Sequence, residues 1–262
     1  MVYAREHAAY KRSAAKIAHT IANLSKWWGD KTLTDVTARN CRAFAATRPK
    51  VAARRDLETL RASIMYWHRE YGPLPSVPIV TLPEKPAGRE RWLTRSEVAR
   101  LLWAARRQTH LRRFILLALY TGSRSGAILQ ARWSWVDLET GVMRRRAPGT
   151  TETNKRTPPV RLKGRILTHV RRWAGLDGMP EGPIVCYAGQ AVIKLRRSWQ
   201  TAVEASGLQG QVTPHTLRHT RATWLMREGA SIWDAAGQLG MSAVVLERVY
   251  GHHAPNYQDS RR

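Results

Sequence analysis

Three short segments carry residues whose chemistry goes beyond packing. In Thr213-Pro-His-Thr-Leu-Arg-His-Thr220, Pro214 presets a helix start and sets His215 and Arg218 one turn apart on a common face. An imidazole and a guanidinium near a helix N-terminus, whose free amides favour anions, suit a phosphate under attack. In Leu119-Tyr-Thr-Gly-Ser-Arg-Ser-Gly-Ala-Ile-Leu129, a buried helix is expected to end at Gly122, with Arg124 emerging from the turn before the next helix. The planar fork of Arg124 can grip two phosphate oxygens. In Leu246-Glu-Arg-Val-Tyr-Gly-His-His253, Tyr250 closes an amphipathic helix. A phenol is a weak nucleophile at neutral pH and needs nearby cations to stabilise phenolate and phosphorane, which two arginines supply. Taken singly, each segment is better explained without chemistry, by a structural helix with surface His and Arg, an ordinary surface Arg, or a core or interface tyrosine.

A metal site is the competing use of these histidines. His215 and His219 have i, i+4 spacing, and His252 with His253 adds ring nitrogens. No glutamate lies between the first pair and no Cys pair assists, so no metal is expected.

The elements that must position these residues fall on either side of a proline-dense stretch. Ile17, Ile21, Leu24 and Trp28 form one helical stripe, and Leu57, Leu60, Ile64 and Trp67 another, so a small helical bundle is expected up to about residue 71. Lys11, Arg12, Lys16, Lys50, Arg54 and Arg55 punctuate its polar faces. Pro73, Pro75, Pro78, Pro83 and Pro86 forbid helix and predict an extended connector, which sets two domains, 1–85 and 86–262. Thr94 and Glu97 form a capping box that opens a helix carrying Val98, Leu101 and Leu102. A buried helix is expected over 111–120, two short strands at 142–146 and 156–162 around a polar loop, and helices near 164–174, 190–205, 215–227, 231–239 and 242–250. The predicted fold class is mainly α with a small β-sheet.

Composition narrows the partner. The chain of 262 residues has 44 Lys and Arg against 19 Asp and Glu, a formal charge of +25, far above what solubility requires. A polyanion is the implied partner, and nucleic acid fits best because phosphate contacts release condensed counterions. A hydrophobic content of 43% with 11 Trp describes a packed globule rather than a basic tail. Cys41 and Cys186 make no disulfide framework. The opening MVYAREHAAYKR has no apolar run behind its charges, and FILLALY at 114–120 is too short to span a bilayer, so a cytoplasmic, nucleoid-associated protein is expected.

Arg124, then His215-x-x-Arg218, then Tyr250 resemble, in order and spacing, the tyrosine site-specific recombinases of the phage integrase family. TGSR at 121–124 resembles the first arginine box, HTLRHT at 215–220 the second, and LGMSAVVLERVYGHH at 239–253 the nucleophile box. The resemblance is strong over about 90–262 and weaker in the N-terminal bundle. It implies a SAM-like core-binding domain followed by a catalytic domain of the DNA breaking-rejoining fold, the two gripping DNA as a clamp. Arg124 and Arg218 would hold the scissile phosphate, His215 would assist proton transfer, and Tyr250 would attack to leave a 3'-phosphotyrosine. Lys155, the only lysine of the hairpin Thr153–Leu162, would protonate the leaving 5'-oxygen. No cofactor and no metal are implied. The partners implied are duplex DNA with specific sites and a homo-tetramer on paired sites, monomer or dimer off DNA.

Two positions depart from the family pattern: Ala127 stands where an acidic residue is common, and Met241 where histidine or tryptophan is usual. Met241 cannot donate a hydrogen bond to phosphate, so a slower site is expected unless His252 or His253 compensates. These departures, with the short tail after Tyr250, motivate the alternative of a DNA-binding relic or accessory factor, and the shared catalytic residues are equally compatible with a topoisomerase-like enzyme. With 12 residues after Tyr250, little is expected to be lent to a neighbouring protomer, and with about 85 residues before the catalytic domain a simple two-domain arrangement without a further arm-type domain is expected.

Overall fold

Residues 2–11, 13–86, 88, 91–150, 156–178 and 181–255 are described by a computed structural model, and the chain divides into two units, Met1–Arg89 and Glu90–Arg262. In the first, helices α1 (Ala14–Trp28), α2 (Ala38–Ala46) and α3 (Lys50–Glu70) bury Leu24, Trp28, Cys41, Phe44, Leu57 and Ile64 in one core. Thr37 caps α2, its hydroxyl accepting the Asn40 N–H at 3.3 Å. Trp67 departs from its expected stripe: it is 41% exposed and stacks on Tyr71 at 4.6 Å. Three residues past Ile64 the helix has turned roughly 60° off the stripe, which leaves the indole beside the core. The proline-dense segment is extended as expected, yet it is more than a connector. Leu74, Val77, Val80 and Leu82 pack on the bundle, and Arg54 donates to the Pro83 carbonyl.

The second unit contains α4 (Arg95–Ala104), α5 (Thr109–Thr121), α6 (Ser125–Leu129), the strands β1 (Val142–Met143) and β2 (Val160–Arg161), α7 (Arg165–Asp177), the strands β3 (Cys186–Tyr187) and β4 (Gln190–Ala191), α8 (Arg196–Ala205), α9 (Pro214–Arg227), α10 (Ile232–Leu239) and α11 (Ala243–Tyr250). The Thr94–Glu97 capping box opens α4, with Arg91 pairing Glu97 at 2.5 Å and holding its carboxyl down at about 2. The expected hairpin exists but is shorter: Val142 pairs Arg161 and Met143 pairs Val160, antiparallel. The helix expected from 190 starts at Arg196, because 186–191 forms a second antiparallel hairpin. Its turn residues Ala188 and Gly189 both have positive φ, 48° and 74°, but lack the Asn-Gly or Asp-Gly signature that would announce such a turn.

The core is built around α5 and α9. Leu111, Phe114, Ile115 and Leu117 of α5 are fully buried, each stabilising by about 1.5–3 kcal/mol relative to exposure. Helix α9 has no polar stripe, because it packs on α5 on one side and on α10 and α11 on another. Most of its buried polar groups are bonded: Thr220 donates to the Thr216 carbonyl and accepts the Leu93 N–H, and Trp224 donates to the Leu93 carbonyl, whereas Arg221 Nε is buried with no hydrogen-bond partner among the described residues. Arg113 of α5 makes a bidentate pair with Asp177 at 2.6 and 2.7 Å, which ties α5 to the end of α7. Both cysteines are free, and no helix among the described residues is long and apolar enough to cross a membrane.

Candidate active site

Two helices end side by side, and their last carbonyls collect the site's cations. Helix α5 stops at Gly122 and α10 at Gly240, each with φ of +63°, a left-handed conformation that glycine adopts freely. A Cβ on Gly122 would lie 2.2 Å from Leu239 Cδ2, so only glycine lets the two ends approach. Arg218 donates to the carbonyls of Gly122 at 2.7 Å and Leu239 at 2.5 Å. Arg145 donates to Thr121 at 2.9 Å and Gln238 at 2.5 Å. Arg124 donates to Gly240 at 3.2 Å and to Arg156 at 2.8 Å. Three successive carbonyls, 238 to 240, thus each accept from a different guanidinium, at a helix end whose dipole favours positive charge.

The crowding has an electrostatic consequence. Arg145 and Arg218 are buried, and burial, reinforced by the neighbouring guanidiniums, lowers their pKa values to about 9 and about 10. Arg145 Nε is buried with no hydrogen-bond partner among the described residues. The repulsion among the three is relieved by an anion, and half-buried Arg124 is the member that borders solvent.

Tyr250 ends α11, buried against Ala222, Met226, Leu239 and Leu246, and its hydroxyl lies 2.5 Å from His219 Nδ1. Burial pushes the phenol up to about 12, and the nearby Arg218 charge opposes that rise. His215, exposed in the first turn of α9, sets its ring edge-on to His219 at 4.7 Å. One chain therefore joins Arg124, Arg218, Arg145, His219 and Tyr250 in a single cluster.

The other predicted positions lie around it. Ala127 is half-buried in α6, and Met241 packs beside the Tyr250 cluster. His252 is exposed and its ring lies tilted against that of His253 at 4.0 Å, and the His253 ring meets Trp92 edge-on at 6.2 Å. Lys155 falls outside the described residues. No group of three His, Cys, Asp or Glu side chains among the described residues is arranged to hold a metal ion. Sequence reasoning passed over Arg145, although strand alternation from buried Met143 points it inward between more exposed Arg144 and Arg146.

Residues 91–256 match the phage integrase family. The chain belongs to this family. Among family relatives, the integrase of Salmonella phage P22 is 26% identical over 87% of this chain, and the tyrosine recombinase XerC of Erythrobacter litoralis is 30% identical over 61% of it. The chain spans 61% of the length of the first relative and 54% of the second. In fold, it is similar to the Tn1549 transposon integrase in complex with transposon right-end DNA, with a TM-score of 0.75, 13% identity and coverage of 99% of this chain and 95% of that one. It is also similar to a lambda integrase dimer bound to a core site, with a TM-score of 0.74, 18% identity and coverage of 94% and 90%. Membership of the phage integrase family and this fold agree with the resemblance carried by the motif residues.

Proposed function

We propose that the chain is a site-specific DNA recombinase that cuts and rejoins strands through a covalent 3'-phosphotyrosyl intermediate on Tyr250. The observation that carries this reading is the convergence in one chain of the Tyr250 hydroxyl with Arg218 and Arg124, a nucleophile beside fixed cations. The phenolic oxygen bonds to phosphorus as the bond from phosphorus to the 5'-oxygen breaks. Arg124 and Arg218 hold the non-bridging oxygens, a histidine of α9 assists proton transfer, and Lys155 protonates the leaving oxygen. Guanidinium groups stabilise the charge that divalent metals neutralise in many nucleases, so the reaction proceeds without metal. Because the phosphotyrosine keeps the bond energy, a 5'-hydroxyl reseals the strand without a nucleotide cofactor. The N-terminal bundle acts as a second DNA-binding domain, and a tetramer assembles on paired sites within the nucleoid.

The test is denaturing electrophoresis after incubation with a nicked duplex spanning the element's attachment junction. Wild-type protein gives a covalent adduct, with or without EDTA, whereas Tyr250→Phe binds the duplex and gives none. An adduct that survives Tyr250→Phe removes Tyr250 from the role, and one abolished by EDTA removes the metal-free chemistry.

A further inference from the structure

We propose that His219, rather than His215, takes the phenolic proton of Tyr250 as the tyrosine attacks, and returns it when the strand is resealed. This rests on the cleavage chemistry proposed above and names the base within it. The two reacting atoms already share a hydrogen bond: Tyr250 Oη stands 2.5 Å from His219 Nδ1. A general base must lie within hydrogen-bond reach, about 2.6–3.2 Å between heavy atoms, of the group whose proton it removes, and this pair is at least that close. His215 sits one turn earlier on α9, exposed, with its ring edge against His219. Its ring meets His219, which stands between it and the position of the phenol in the contact series His215, His219, Tyr250.

The need for a base follows from the phenol's surroundings. Burial keeps it protonated well above neutral pH, and Arg218 alone does not reverse this. In the proposed step the O–H bond of Tyr250 breaks and its proton moves to Nδ1 of a neutral His219 whose other proton is on Nε2. The phenolic oxygen bonds to phosphorus, and the 5'-oxygen departs with a proton from the general acid. The imidazolium forms as the phosphorus centre gains negative charge, which offsets its closeness to Arg218. On resealing, the 5'-hydroxyl attacks phosphorus, and the tyrosine oxygen leaves with the proton that His219 held. No oxidant, metal or further reactant is required.

One arm of the test needs no DNA. In 15N-histidine NMR spectra of the full chain, His219 is expected to carry its proton on Nε2, with an Nδ1 signal that shifts in Tyr250→Phe. A proton on Nδ1, or a signal indifferent to Tyr250→Phe, overturns the proposal. The second arm measures adduct formation on the attachment-junction duplex. His219→Asn keeps an acceptor near the phenol but no basicity, and is expected to slow the step by about 100-fold or more. The rate stays slow when sulfur replaces the bridging 5'-oxygen, because a thiolate leaves without protonation. In His219→Ala, added imidazole restores the rate by about tenfold or more, which a folding defect does not permit. A His219→Asn rate near that of wild type, one restored by the sulfur substrate, or no response to imidazole each overturns the proposal while leaving Tyr250 as nucleophile. Wild-type protein that forms no adduct overturns both readings.

Discussion

A buried phenol in contact with an imidazole titrates unlike a free one, and Tyr250 supplies a direct measure of that. Its pKa of about 12 lies above the ordinary value near 10 because burial disfavours the phenolate. Being raised in the folded state, the group contributes stability that is intact below pH 10 and lost between pH 10 and 12, as the unfolded chain ionises first. That loss is on the order of 2–3 kcal/mol for a shift of this size. Denaturant unfolding of wild type and Tyr250→Phe is expected to show the stability difference shrinking over this interval. The phenolate absorbance of wild type should contain one transition near pH 12 that Tyr250→Phe lacks. A Tyr250 transition near pH 10 would mean an exposed hydroxyl and no hydrogen bond to His219.

At the scale of elements, the site depends on two helix ends meeting at Gly122 and Gly240. Gly178 ends α7 in the same left-handed conformation, with φ of +60° and nothing within 4 Å of where a Cβ would lie. Gly178→Ala is therefore expected to cost about 1–2 kcal/mol from backbone conformation alone. Gly122→Ala adds the collision with Leu239, about 1–3 kcal/mol more, and should shift the denaturant midpoint further. Equal losses would show that the ends of α5 and α10 do not pack as described. These ends also mark the border of what the sequence discloses. Gly122 was readable as a helix stop because an apolar run precedes it, and Arg124, His215, Arg218 and Tyr250 were readable from their order. Arg145 was not, since it lies in Arg144-Arg145-Arg146, where a charge run looks like a solvated surface unless the strand's alternation is already known. The link from His219 to Tyr250 was hidden for another reason. A contact between residues 31 apart depends on how α11 packs on α9, which no local pattern specifies. The β3–β4 hairpin failed at the level of turn chemistry, its Ala188-Gly189 pair giving no advance sign.

For the whole molecule, the deciding quantity is charge. A formal +25 on 262 residues is spread through both units, and a protein making 6–10 phosphate contacts loses about 10³–10⁵ in DNA affinity between 50 and 200 mM salt. Filter binding or fluorescence titration of the full chain on duplex DNA across that range should give a linear fall of log affinity against log salt. The slope separates the cluster's members by role. Arg124 borders solvent with donors directed at the site, so Arg124→Gln removes one ionic contact and lowers the slope by about one. Tyr250→Phe removes a neutral hydroxyl and is expected to leave the slope unchanged while abolishing the proposed adduct. An affinity indifferent to salt would place the excess charge away from the DNA. An unchanged slope in Arg124→Gln would show that this guanidinium serves the carbonyls of Gly240 and Arg156 rather than a phosphate.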